Sequence, residues 1–138
     1  MKSDTVIISI HPCHIEKIFS GVKLYEYRKA IPSNIQNLII YATAPIKQIV
    51  AIIEVDSVLT GMPNEIWNIT KGQSGLSKKT FMSYFNHRTV ANAIKFKTIN
   101  RLDTPKSLTT LNNIKYPPQS YVFINETMNE VFDKLLRS

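Results

Sequence analysis

Lys23, Glu26 and Arg28 lie close together in the stretch SGVKLYEYRKAIP, residues 20–32, interleaved with two tyrosines and preceded by Gly21. Read as a strand, the run alternates its side chains, so Tyr25 and Tyr27 share one face while Leu24, Glu26 and Arg28 share the other. Two opposite charges then sit side by side. On an open surface the pair contributes little and Lys23 is solvated. In a cleft the same residues gain chemistry: Glu26 and Arg28 hold each other, and Lys23 faces an anion or a carbonyl with a pKa that burial can tune. The pattern alone admits both readings.

Other side chains offer less. His11, His14 and His87 lack the H-E-x-x-H spacing or the cysteine partners of a zinc site, so no metal is expected. His11 is better placed to order a strand-to-helix turn. Cys13, the single cysteine, excludes an internal disulfide; at a helix start it is either a thiolate nucleophile or a small packed residue. With glycine only at 21, 61, 72 and 75, the chain has no glycine-rich phosphate loop, and no cofactor is expected.

The elements that must position these residues read as follows. TVIISI is a β-branched strand signal running into His11-Pro12, with Pro12 suited to a first helical turn. Ile15, Ile18 and Phe19 recur at helical spacing, and Gly21 suits a left-handed helix end. NLIIYATAP and IKQIVAIIEVDSVLT predict two further strands, the first closed by Pro45 and the second by Gly61-Met62-Pro63. Short helices follow, over NEIWNIT and, capped by Ser77, over KKTFMSYFNHR, where Phe81, Tyr84 and Phe85 make an apolar stripe; Trp67 and Phe81 are assigned to the core. ANAIKFKTINRL returns to strand, a turn or short helix is expected around TPKSLTTL, and Tyr121 to Ile124 form a last strand after two prolines. Asn125 is the expected cap of a C-terminal helix over about 126–136. This order fits an α+β domain built on a small, mostly antiparallel β-barrel flanked by short helices.

At 138 residues, 43% hydrophobic and 20% charged, the chain is expected to form one globular domain over residues 1–138. No stretch approaches the roughly 20 apolar residues of a membrane span and no signal peptide is visible, so a cytoplasmic protein without a membrane partner is expected. The net charge of +7 is uneven. Residues 71–115 carry nine lysines and arginines against Asp103 alone. Such a segment is either a solvated face or a surface for polyanions, nucleic acid first, with Lys71, Lys78, Lys79 and Arg88 the candidate backbone contacts.

The succession IISIHPCHIEKIFSGVKLYEYRK, LIIYATAPIKQIVAIIEV, IWN…GQSGLSKKTFMSYF and YPPQS resembles the ASCH domains of the PUA-like superfamily over residues 6 to about 124. Gly21, Lys23, Glu26 and Arg28 match the family's G-x-K-x-x-E-x-R pattern. The resemblance implies a β-barrel flanked by helices and a cleft that binds RNA or modified nucleobases, with Lys23, Glu26, Arg28, Gln119 and Ser120 as ligand-binding residues and a regulatory role among the possibilities. One branch of the family hydrolyses N4-acylated cytidine with a lysine, a threonine and a later carboxylate. Only Lys23 matches it: Glu26 stands at the threonine position, and KGQSGLSKKTF has no acid. A carboxylate beside Lys23 is further expected to favour its ammonium form. A second branch, metal-independent ribonucleases, implies Lys23, Tyr41 and Ser120 as catalytic residues. A protein-interaction module with a vestigial cleft is the third reading.

Overall fold

The computed structural model describes residues 4–111 and 114–136. Its centre is a pair of parallel strands, β1 (Thr5–Ile10) and β3 (Asn37–Ala42), in register from Thr5 opposite Asn37 to Ile10 opposite Ala42. Both faces of these strands are covered, which explains their almost unbroken apolar sequence. Val6, Ile8, Ile10, Leu38 and Ile40 pack into one cluster, and Ile7, Ile39 and Tyr41 into another on the opposite face.

β4 (Gln48–Gly61) and β5 (Ala91–Lys106) form a long antiparallel pair. With β2 (Tyr25–Arg28) and β6 (Tyr121–Phe123) the sheet order is β2-β5-β4-β3-β1-β6. Every pairing other than β1 with β3 is antiparallel. Register shifts at Ile49/Ala51, Glu54/Val55 and Val55/Ser57 bend the long pair, since an extra residue on one strand raises the local twist. The result is a curled half-barrel with short helices, of the α+β class, whose edges are β2 and β6.

Helix α1 (Pro12–Phe19) starts where His11 Nδ1 accepts a hydrogen bond from Cys13 N at 3.1 Å, and Pro12 occupies the first turn. It ends at Ser20, followed by Gly21 at φ 84°, a conformation that glycine adopts without steric cost. Helices α2 (Pro63–Thr70) and α3 (Lys78–Tyr84) place Ile66, Trp67, Phe81 and Phe85 against Tyr25 and Tyr27 in a third cluster.

Three boundaries differ from the sequence expectation. Ser77 caps α3, but the helix stops at Tyr84 rather than near Arg88, and His87 takes φ 63°. β5 runs on through Lys106, so the short turn is confined to Leu108–Thr110. The C-terminal helix α4 (Met128–Leu136) is capped by Thr127 rather than Asn125: Thr127 Oγ1 accepts from Glu130 N at 3.2 Å and donates to Glu130 Oε1 at 3.2 Å. That reciprocal arrangement satisfies a helix-end donor that Asn125, two residues further out, would leave unpaired.

Candidate functional site

A cavity of about 260 Å³ opens between the ends of β1 and β2, the start of α1 and the exposed side of α3. Its floor is the β2 motif. Ser9, His14, Thr80 and Tyr84 are among the residues that complete the lining.

Lys23 is 1% exposed, and its burial is built by the segment that follows α2. Lys23 Nζ donates to Ser74 O at 3.1 Å, Lys17 Nζ to Gly75 O at 2.9 Å, and Leu24 N to Gln73 O at 2.9 Å. Gly75 sits at φ 69°, and a Cβ added there would lie 2.8 Å from Lys23 Cβ. Only glycine allows this approach. The ammonium also lies 4.9 Å from the Tyr27 ring centroid, a cation–π distance.

Glu26 joins Lys23 to Arg28. Lys23 Nζ is 3.6 Å from Glu26 Oε1, while Arg28 reaches Oε2 through Nε at 3.1 Å and Nη2 at 2.9 Å. Arg28 Nη2 also donates to Ser9 O at 2.8 Å and Nη1 to Ser120 O at 3.4 Å. The guanidinium therefore ties β2 to the end of β1 and to the segment entering β6. Three charges in a row, cation, anion, cation, offset much of the cost of burying each.

Burial lowers the Lys23 pKa, and Lys17 and Arg28 push the same way, against the opposing attraction of Glu26. Glu26 favours the ammonium form, as the sequence led us to expect, but desolvation outweighs the carboxylate and the net shift is downward. His14 is lowered by burial and by Lys23, and its Nδ1 is buried with no hydrogen-bond partner. Tyr84 is raised by burial, packs edge-on against Phe85, and carries Lys29 Nζ 4.7 Å from its ring centroid.

The remaining sequence candidates are distributed more widely. Tyr41 is buried in the cluster on the other sheet face and does not line the cavity, so it is not brought to Lys23. Gln119 and Ser120 are exposed, and only the Ser120 carbonyl touches the motif. Lys71, Lys78, Lys79 and Arg88 are all exposed; Lys78 and Lys79 open α3 next to the cavity residue Thr80, whereas Arg88 lies beyond the far end of that helix. Among the described residues, no group of three His, Cys, Asp or Glu side chains is arranged to hold a metal, and no helix is long and apolar enough to cross a membrane.

Lys47, at the tip between β3 and β4, is exposed and holds φ 54°, unusual for a side chain of its size. Ser9 pairs with Tyr41, and Ser120 directly precedes the Tyr121 that pairs with Ile8, so Tyr41, Ser9 and Ser120 lie level across the same end of the sheet as Lys47. A left-handed lysine has no signature in sequence.

A mixed half-barrel with short helices and a cleft at the strand ends defines the structural class. No family model matches the chain. It is 29% identical over 117 residues to the large ribosomal subunit protein uL22 of Ureaplasma parvum, a match covering 83% of this chain but only 38% of that one. It is 27% identical over 125 residues to an ASCH domain-containing ribonuclease of Zymomonas mobilis, covering 87% of this chain and 84% of that protein. The crystal structure of ASCH from Zymomonas mobilis superposes with a TM-score of 0.82 at 25% identity, covering 93% of this chain and 91% of that one. A serine-to-alanine variant of it gives 0.83 at 24% identity, covering 94% and 93%, and a tyrosine-to-phenylalanine variant has also been solved. The fold is that of these ASCH structures, and the chain is an ASCH domain protein.

Proposed function

We propose that this protein, as a single ASCH domain across residues 1–138, binds RNA or a modified nucleobase in the cleft above Lys23, Glu26 and Arg28. The observation that carries this reading is the charge chain on the cleft floor. An anion flanked by two cations, fixed by backbone carbonyls from three separate segments, is a pre-organised polar surface inside a concave, partly aromatic cavity. A cavity this small admits one ring system rather than a length of polymer. The exposed lysines at the start of α3 then supply attraction to a phosphate backbone lying across the mouth. The likeness to a protein named as a ribonuclease supports RNA as the ligand class.

A second reading is metal-independent RNA cleavage, favoured by the level placement of Tyr41 and Ser120. In that reading the exposed Lys47, rather than sealed Lys23, is the cation positioned to stabilise charge on phosphate, and Tyr41 acts on the 2′-hydroxyl.

Titrating the protein into labelled single-stranded RNA at several salt concentrations, with the RNA run on a denaturing gel afterwards, tests both. Binding that weakens with salt and leaves the RNA whole supports the first reading. Cleavage that disappears in Tyr41→Phe moves the function to the second. No binding at any salt overturns both.

A further inference from the structure

The two oxygens of Glu26 are used unequally. Oε2 receives both Arg28 contacts, at 2.9 and 3.1 Å, whereas the nearest cation to Oε1 is Lys23 Nζ at 3.6 Å, a longer and weaker contact. A carboxylate oxygen accepts through two lone pairs, so Oε1 retains acceptor capacity. The neighbouring cations are spent differently. Lys23 is sealed under Ser74 and Gly75, and Arg28 directs Nε and both terminal nitrogens at Glu26, Ser9 O and Ser120 O. The cleft floor therefore presents an anionic acceptor, and the positive groups beneath it are engaged in holding that acceptor. Tyr84 supplies one wall, with Lys29 over its ring.

From this we infer that the cleft takes the base rather than the phosphate of its ligand, and that it selects a base with a free exocyclic amino group: cytosine, adenine or guanine against uracil and N-acylated bases. The inference rests on the binding function proposed above. An amino N–H donates to Oε1 of Glu26. Uracil has one ring donor in its pairing edge, flanked by two carbonyl oxygens that the carboxylate repels. Acylation leaves one N–H but adds a carbonyl and bulk at the atom that must reach the floor. The polar group that a wrong base leaves unpaired gives such sites their discrimination.

Direct titration of the intact protein with cytidine, uridine, N4-acetylcytidine and N4,N4-dimethylcytidine, followed by calorimetry, tests the selection. Cytidine is expected to bind about tenfold or more tightly than the other three. The dimethylated nucleoside keeps the cytosine ring but lacks both donors, so the comparison needs no protein variant. In Glu26→Gln, whose amide can donate to a carbonyl, uridine is expected to gain on cytidine. Equal binding of cytidine and its dimethyl derivative overturns the selection, and if single-stranded RNA still binds in a salt-dependent way the proposed function survives that result. Absence of both nucleoside and RNA binding overturns the two together.

Discussion

Replacing Gly75 by alanine measures how firmly Lys23 is held. Two costs fall on Gly75→Ala. The residue sits at φ 69°, where a side chain costs about 1–2 kcal/mol. The new Cβ would also lie 2.8 Å from Lys23 Cβ, 3.2 Å from its Cγ and 3.4 Å from its Cδ. These are the near atoms of a side chain whose far end is bonded to Ser74 O, so they have little room to move, and overpacking of this kind costs about 1–3 kcal/mol. The sum is about 2–5 kcal/mol. Gly21→Ala provides the control: its φ is 84°, but nothing lies within 4 Å of the added carbon, so only the conformational cost of about 1–2 kcal/mol applies. Urea unfolding of both variants, with unchanged m-values, isolates the difference as the clash with Lys23. Nucleoside affinity should fall more in Gly75→Ala than in Gly21→Ala, because displacing Lys23 loosens Glu26. Equal destabilisation of the two variants refutes the argument that the 71–77 segment clamps the lysine.

Glu26→Ala leaves Lys23 buried beside Arg28 without its counter-charge and should cost about 3–5 kcal/mol, part of which Lys23→Met in the same chain restores; a denaturant double-mutant cycle reads both. Burial holds the His14 pKa below 6.5, so the unfolded chain binds more protons than the folded one below that pH. Stability contributed by His14 therefore falls as pH drops through and below 6.5, and His14→Gln should flatten this part of the stability-against-pH curve. Replacing Lys78 and Lys79 together by glutamine should reduce the slope of log affinity for single-stranded RNA against log salt by about 1.4. An unchanged slope shows that these lysines only solvate the surface.

How much was legible depended on whether a feature is local. β1 and β3 announce themselves because both faces are buried and the apolar run is nearly continuous. The ends of α3 and α4 were harder. His87 adopts a left-handed backbone that its side chain does not advertise, and the Thr127-x-x-Glu130 box competes in sequence with the equally plausible Asn125. For the cleft, the spacing of Lys23, Glu26 and Arg28 placed the charges together, as it had to on one strand and its approach. His14, Thr80, Tyr84 and the Ser74 carbonyl come from other elements, and no pattern within one segment reports that they meet. The role of Gly75 is further removed still, because it follows from which lysine its missing side chain faces.

Lys23 carries two signals that conflict. A lysine with a lowered pKa in a cleft is, by that property, a candidate base or nucleophile. Yet such a group must come within about 3 Å of a reacting atom and present a lone pair to it. Lys23 is 1% exposed, donates to Ser74 O, faces Glu26 and lies against the Tyr27 ring. The same burial that lowers the pKa removes the access that would make the lowering useful. Access decides. The shift is then a consequence of using a buried cation to hold Glu26 at the cleft floor, and exposing Lys23 to a substrate would require the 71–77 segment to release Lys17, Lys23 and Leu24 together.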